Sequence, residues 1–294
     1  MLMLVGFGLA RFQWKAVTDF DLVRLFRSAL PIIIPYYLIV AGYAVAWGEV
    51  PWASVFMIGN FGFADPERHT MLPYLYWFVE AYCQMLLLFA AFFAFAPIRK
   101  IAAWSPFSSG LVLLGVALLS RLFVPELLEI GNRQIFTLAW ILYLAAIGFL
   151  AALADTTEKR LLLMAVGTAT FFFFAFHESV WIGTRVKYFL QIPVLALLLF
   201  LPRISVPKWL RTLILPVSAA GFHIYLVHRF VPELLLVRFS GEIPAPVFSG
   251  LSIGGGVLLG LITWWIQNQM LSFLAKHSDI RIRMPTASTV FRRL

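Results

Sequence analysis

Between Phe222 and Glu233 an apolar run of the chain carries His223, Tyr225, His228, Arg229 and Glu233. Hydrocarbon charges heavily for such groups, so within a membrane helix they are expected to face a bundle interior or a water-filled cavity. Tyr225 and His228 stand three residues apart, on one helical face, and Pro232 removes the amide that would bond the His228 carbonyl. Histidine, with an ordinary pKa of about 6.5, is a suitable proton acceptor at neutral pH. Three roles stay open for His228: general base, orienting or oxyanion group, and interior histidine satisfied by its neighbours. His223 lies five residues earlier, about 140° around a helix, so the two imidazoles do not readily serve one metal. No metal site is predicted.

A second polar stripe interrupts the apolar run 73-96. Trp77, Glu80 and Gln84 fall at i, i+3 and i+7, on one face of a helix. A carboxyl group at that depth must be paired, protonated or wet, which makes Glu80 a functional candidate. The alternative is a structural hydrogen-bond cluster of Glu, Gln and Tyr. Of the other histidines, His69 lies in the longest outer loop, where it is either solvated or part of an outward-facing acceptor pocket. His177-Glu178, at a helix end, is expected to form a loop contact, and His277 carries no signal. Cys83, the single cysteine, lies in an apolar run and reads as a buried, inert thiol.

The third candidate is cationic. Thr18-Asp19-Phe20-Asp21 resembles a capping box, with Asp21 in place of the usual Glu, opening a short amphipathic helix that presents Arg24 and Arg27 on one face. These arginines either anchor the helix among lipid headgroups or form an anion site for phosphates at the cytoplasmic mouth.

The elements that position these groups follow from composition. The 294 residues are 62% hydrophobic and 13% charged, with a mean hydropathy of +0.89, too little polar surface for a soluble globule. The predicted fold is all-α, a polytopic transmembrane helical bundle. Eight full spans are expected, at 29-47, 73-96, 107-124, 134-154, 161-177, 186-202, 213-237 and 245-274, after a partial span from Met1 to Ala10. The ten-residue apolar start has no basic segment before it and no cleavage pattern after it, which excludes a secretory signal. Gly250, Gly254, Gly256 and Gly260 make two small-xxx-small pairs for helix packing.

A net charge of +9 would suggest nucleic acid in a soluble protein. Here the basic residues sit in short loops beside apolar spans, where they set topology, and anionic lipid headgroups are the expected partner instead. Most of the 23 Lys and Arg fall in one set of alternate loops, namely 11-28, 97-106, 155-160, 203-212 and the tail from 275. The other set includes the Asp65 to His69 turn and the loop from Glu126 to Arg133. The predicted topology is therefore multi-pass with a cytoplasmic C-terminus, comprising a transmembrane domain over 1-275 and a basic cytoplasmic tail over 276-294.

Five ordered landmarks are similar to those of the acyltransferase 3 family of bacterial membrane proteins, which acylate sugars, lipids and other surface molecules. They are Leu4-Val5-Gly6-Phe7-Gly8-Leu9-Ala10; the stretch from Arg24 to Pro31 with Tyr36-Tyr37-Leu38; Trp77 to Gln84; Ala146-Ile147-Gly148-Phe149-Leu150; and Ile224-Tyr225-Leu226-Val227-His228. The family begins with one further helix, bearing an Arg and the histidine taken as general base. This chain begins after that helix, so the resemblance implies either a truncated sequence or an upstream helix in a longer polypeptide, and an inactive chain without it. Arg27 and Arg24 stand four and seven residues before Pro31, one further than in the family, and Arg229 follows His228 where many relatives have proline or an apolar residue.

What the resemblance implies is O-acylation at the inner membrane. Acyl-CoA would approach from the cytoplasm past Arg24 and Arg27, and its acyl group would enter a cavity lined by Trp77, Glu80, Tyr225 and His228, with His228, Glu80 and Tyr225 in the catalytic roles. Trp77, Gln84 and His223, with the two arginines, would contact substrate, and a hydroxyl of a carbohydrate or lipid would accept the acyl group. Acyl-CoA is a substrate in this scheme, and no cofactor is expected. A second reading from the same buried polar groups is a transporter of a small solute or lipid-linked glycan, in which they line a permeation path. A third is a non-catalytic membrane partner.

Overall fold

The chain's computed structural model describes residues 2–61, 76–128, 135–178, 182–201, 205–239 and 241–277. His69 and its turn, most of the 126-133 loop and the tail beyond His277 lie outside these residues. Every regular element among the described residues is helical. The chain divides into two compact units, Met1–Ile204 and Ser205–Leu294.

In the first unit α1 (Leu2–Gly8) continues through a π-helical turn (Leu9–Gln13) into α2 (Trp14–Thr18). The apolar start is thus one helical stretch reaching Thr18 rather than ending near Ala10. Phe20 then takes a left-handed conformation (φ 57) and turns the chain. That shifts the expected cap. The Thr18 hydroxyl donates back to the Trp14 carbonyl at 3.2 Å, while Asp21 is the N-cap of α3 (Leu22–Arg27), accepting from the Arg24 amide at 3.0 Å.

Helix α4 (Leu30–Trp47) starts with Pro31 in its first turn, where no amide partner is needed, and stops at Gly48 in a left-handed conformation. A one-turn helix, α5 (Trp52–Val55), and a 3-10 turn (Gly59–Phe61) follow. Helix α6 (Trp77–Ala94) breaks at Phe95, and α7 (Ala96–Trp104) leaves at 101° to it. Pro97 accounts for the break: it lacks an amide and its ring would meet the carbonyl four residues back. That carbonyl, of Phe93, accepts from the Arg99 guanidinium instead, at 2.5 Å, and so does the Ala94 carbonyl, at 2.9 Å.

Helices α8 (Pro106–Leu128), α9 (Leu138–Leu153), α10 (Thr157–His177) and α11 (Ile182–Phe200) complete the unit. The core is centred on α9, ten of whose 16 residues are buried. It meets α1 through a pair of glycines: a Cβ on Gly6 would lie 1.8 Å from the Ala145 carbonyl oxygen, and one on Gly148 equally close to that of Met3. Only a glycine lets two backbones approach so closely, which is how helices associate where water does not drive them together. Two of the five landmarks, around Gly6 and Gly148, therefore meet in space.

The second unit holds α12 (Lys208–Ala219), α13 (Gly221–Val227) and the long α14 (Ala245–His277). The expected single span 213-237 is bent by 55° after Ala219, and Pro232 sits at the start of a π-helical turn (Val231–Leu235). Of the two glycine pairs, only Gly256 and Gly260 make a packing face, against the backbones of His228 and Ile224; Gly250 and Gly254 meet nothing within 4 Å.

Among the described residues four helices are long and apolar enough to cross a membrane: α4, α8 over Pro106–Val124, α10, and α14 over Ala245–Met270. The count rises to six if the bent pairs α6–α7 and α12–α13 each make one span. At 16 residues α9 is short for a span, and α11 carries Arg185 and Lys187 near its start.

Candidate functional site

Glu80 is completely buried. One turn into α6, its side chain reaches the segment between α4 and α6 rather than lipid. Glu80 Oε2 accepts from the Asn60 amide at 2.6 Å, and the Gly59 amide also donates to the carboxyl group. The Tyr36 phenol oxygen, from α4, lies 3.0 Å from Glu80 Oε1 and 2.7 Å from the Ser54 carbonyl oxygen. A phenol has one proton, and a carbonyl can only accept. The Tyr36 proton on the shorter bond goes to Ser54. The contact with Glu80 is then a hydrogen bond when Glu80 is the neutral acid and donates to the phenol.

Gln84, one turn further along the same face, completes the arrangement. Its amide donates to the Met57 carbonyl at 2.7 Å and to Asn60 Oδ1 at 2.8 Å, while Asn60 Nδ2 donates to Gln84 Oε1 and to the Phe136 carbonyl, each at 3.1 Å. The Trp77 ring lies 5.7 Å from that of Phe136. The expected stripe of Trp77, Glu80 and Gln84 is thus assembled, with Tyr36, Ser54 and Asn60 as partners the sequence did not reveal. Its geometry is that of a fastening which holds residues 54-60 against α4 and α6. Glu80 and Gln84 spend their hydrogen bonds on protein groups.

His228 is placed differently. On the helical turn after α13, its Nδ1 lies 2.9 Å from the Tyr225 carbonyl oxygen and 3.1 Å from that of Ile224. Both neighbours only accept, so Nδ1 carries a proton, and in the neutral imidazole the lone pair is then on Nε2. The Tyr225 ring lies 6.3 Å from the imidazole, and the two share a helix face as their spacing predicts. His223 turns to α14, with Nε2 2.7 Å from Gln267 Oε1, so that Nε2 donates and the buried Nδ1 is left as an acceptor without a hydrogen bond. Arg229 pairs with Glu233 along its own helical turn.

Arg24 and Arg27 are exposed on α3, with no carboxylate pairing among the described residues beyond the Asp21 cap at the Arg24 amide. Trp77, Glu80, Gln84 and these arginines belong to the first unit, and Tyr225, His228 and His223 to the second. Cys83 is buried, as expected.

One buried polar centre was not singled out in the sequence. Arg121, in the middle of the apolar run of α8, is 3% exposed. Its guanidinium forms an ion pair with Glu178 and donates to the Tyr188 hydroxyl at 2.6 Å and to the Trp140 carbonyl at 2.7 Å. The rings of Phe174, Trp140 and Tyr143 stand 3.8, 4.2 and 4.7 Å from it. Tyr188 donates its own proton to Glu178. Glu178, at the end of α10, therefore pairs with Arg121 of α8 and accepts from Tyr188 of α11 rather than making a simple loop contact, and Arg121 adds the contacts to α9. A lone arginine in an apolar span was a visible signal; its carboxylate partner, 57 positions away, was not.

Comparison of the chain with protein-family models, with curated proteins and with solved structures finds no match.

Proposed function

We propose that the protein is an integral-membrane O-acyltransferase, which moves an acyl group from acyl-CoA to a hydroxyl of a carbohydrate, lipid or other surface molecule. The observation that carries the reading is the tautomer of His228: an imidazole held by backbone carbonyls at Nδ1 keeps its Nε2 lone pair for an acceptor hydroxyl. In this scheme Nε2 takes the hydroxyl proton, the oxygen attacks the thioester carbonyl, and the thiolate of CoA leaves. The exposed Arg24 and Arg27 suit the donor phosphates. Tyr225 shares the imidazole's face, whereas Glu80 and Gln84 act by fixing the fold around residues 54-60 and Trp77 packs against Phe136. The ordered landmarks similar to those of the acyltransferase 3 family support acyl transfer as the reaction class, with the family's own base on a further helix and His228 the base of this proposal.

The finer topology belongs to this proposal: eight spans after the N-terminal helical stretch, in a bacterial inner membrane, with the basic tail in the cytoplasm. Four or six of the spans are the ones that meet length and hydropathy on the described helices.

The test is thioester consumption from acyl-CoA by membranes containing the natural polypeptide, with labelled solute uptake measured in parallel. His228→Ala is expected to lower acyl transfer by at least about 100-fold, the scale of a lost general base. Unchanged transfer would remove His228 from the chemistry. The two helix breaks, at Phe95 and after Ala219, favour a second reading, a transporter whose discontinuous helices line a path. Uptake that falls in His228→Ala with no thioester consumed in the parent protein would establish it.

A further inference from the structure

The first unit contains a cavity of about 350 Å³ that none of the residues discussed so far as a site lines. Its walls come from the N-terminal helical stretch (Leu9, Trp14), from α6 (Phe93), from α7 (Ile98, Ile101) and from α8 (Leu113), with α9 behind. The Ser109 hydroxyl and the Trp14 indole are the only polar side-chain groups on it. Its size lies in the range of small-molecule sites, about 300–1,000 Å³. A space lined in this way excludes water and accepts hydrocarbon.

The helix that closes one side indicates which hydrocarbon. Ile98 and Ile101 of α7 turn to the cavity, whereas Arg99 and Lys100 occupy its other positions, and the helix leaves α6 at 101°. An amphipathic, basic helix turned across the direction of a span lies along the membrane surface. The stretch Leu2–Thr18 and α7 together bring Arg11, Lys15, Arg99 and Lys100. Asp19, whose amide donates to the Lys15 carbonyl, and Asp21, the cap of α3, follow at once, so four basic side chains outnumber two acidic ones beside the cavity. Anionic headgroups are what such segments attract.

We propose that this cavity takes one hydrocarbon chain of an anionic membrane lipid, with the phosphate headgroup against the basic side of α7 and the neighbouring Lys15. The inference is independent of the acyltransferase reading. It assigns the site to a lipid of the surrounding leaflet rather than to a donor thioester or a neutral lipid.

Trp14 on the cavity wall supplies the probe. The full chain is reconstituted in phosphatidylcholine vesicles containing either phosphatidylglycerol or phosphatidylcholine with brominated chains, which quench tryptophan on contact. The Trp14 contribution is the difference between the parent protein and Trp14→Phe. Brominated phosphatidylglycerol is expected to quench it several-fold more effectively than brominated phosphatidylcholine. Lys15→Gln combined with Lys100→Gln should bring the two lipids to parity, since both lysines are exposed and their loss leaves the cavity intact. Leu113→Phe, which fills the cavity, should diminish quenching by both; Leu88→Phe, on the opposite wall, serves if the first variant does not fold. Equal quenching by the two brominated lipids in the parent protein would overturn the proposal in favour of ordinary bilayer contact. Absence of quenching, or its relief by palmitoyl-CoA without any headgroup preference, would overturn it in favour of a closed void or a thioester site.

Discussion

Glu80 and Glu178 both bring a carboxyl group among apolar helices of the first unit, and each is accommodated by a different route. Glu178 meets a guanidinium, which is itself enclosed by aromatic rings and by a backbone carbonyl. Glu80 has no cation among its described partners; two amides and a phenol serve it instead, and the hydrogen-bond count is complete with the carboxyl protonated. The first arrangement neutralises charge with charge and depends on both partners. The second uses neutral donors in place of a counter-charge and depends on donors and acceptors being matched in number. What the contrast teaches is that an acidic residue among apolar helices can be held either by a counter-charge or by neutral hydrogen-bonding groups.

Breaking the ion pair is among the largest expected effects. Arg121→Ala leaves the half-buried Glu178 without its counter-charge and empties the aromatic cage, and should cost about 3 kcal/mol, read as loss of folded protein in thermal or denaturant unfolding in detergent. Replacing both partners, Arg121→Met with Glu178→Met, should recover most of that loss, because no unpaired charge remains. A double variant as unstable as the single one would show that the aromatic cage, not the pairing, holds the four helices.

At the other carboxyl group, Glu80→Ala strands the Asn60 and Gly59 amides and is expected to cost about 3 kcal/mol, with faster proteolysis of residues 54-60 as a local readout. Tyr36→Phe removes one donor from Ser54 and one acceptor from Glu80, for about 1.5 kcal/mol. The smallest effect separates the two routes. Glu80→Gln preserves one donor and one acceptor, so the neutral-acid arrangement predicts a change below about 1 kcal/mol and loss of a protonated-carboxyl band in the infrared spectrum. Destabilisation as large as in Glu80→Ala, with no such band in the parent protein, would show that Glu80 is ionised and that the two carboxylates are less different than their surroundings suggest.

The stripe of Trp77, Glu80 and Gln84 was legible because helical periodicity alone puts i, i+3 and i+7 on one face. That it fastens a neighbouring segment was not, since Asn60 and Tyr36 are joined to it by the return of the chain and not by spacing. The cap of α3 shows the same limit at short range: Thr18 and Asp21 both have the right side chain, and the left-handed turn at Phe20 selects Asp21. The break at Phe95 follows from proline chemistry that any reader of the sequence can apply, but its angle does not, and neither does the bend after Ala219.

The sequence by itself determined the helical class, the apolar segments fit for a bilayer, the spacing that joins Tyr225 to His228, and the need of every buried polar group for a partner. These follow from backbone periodicity and from the cost of polar atoms in hydrocarbon, which act locally. Tertiary structure decided which partner each group obtained: Arg121 for Glu178, Tyr36 and Asn60 for Glu80, Gln267 for His223, and the glycine contact of Gly6 with α9. Such pairings depend on where distant helices cross, which no local periodicity specifies.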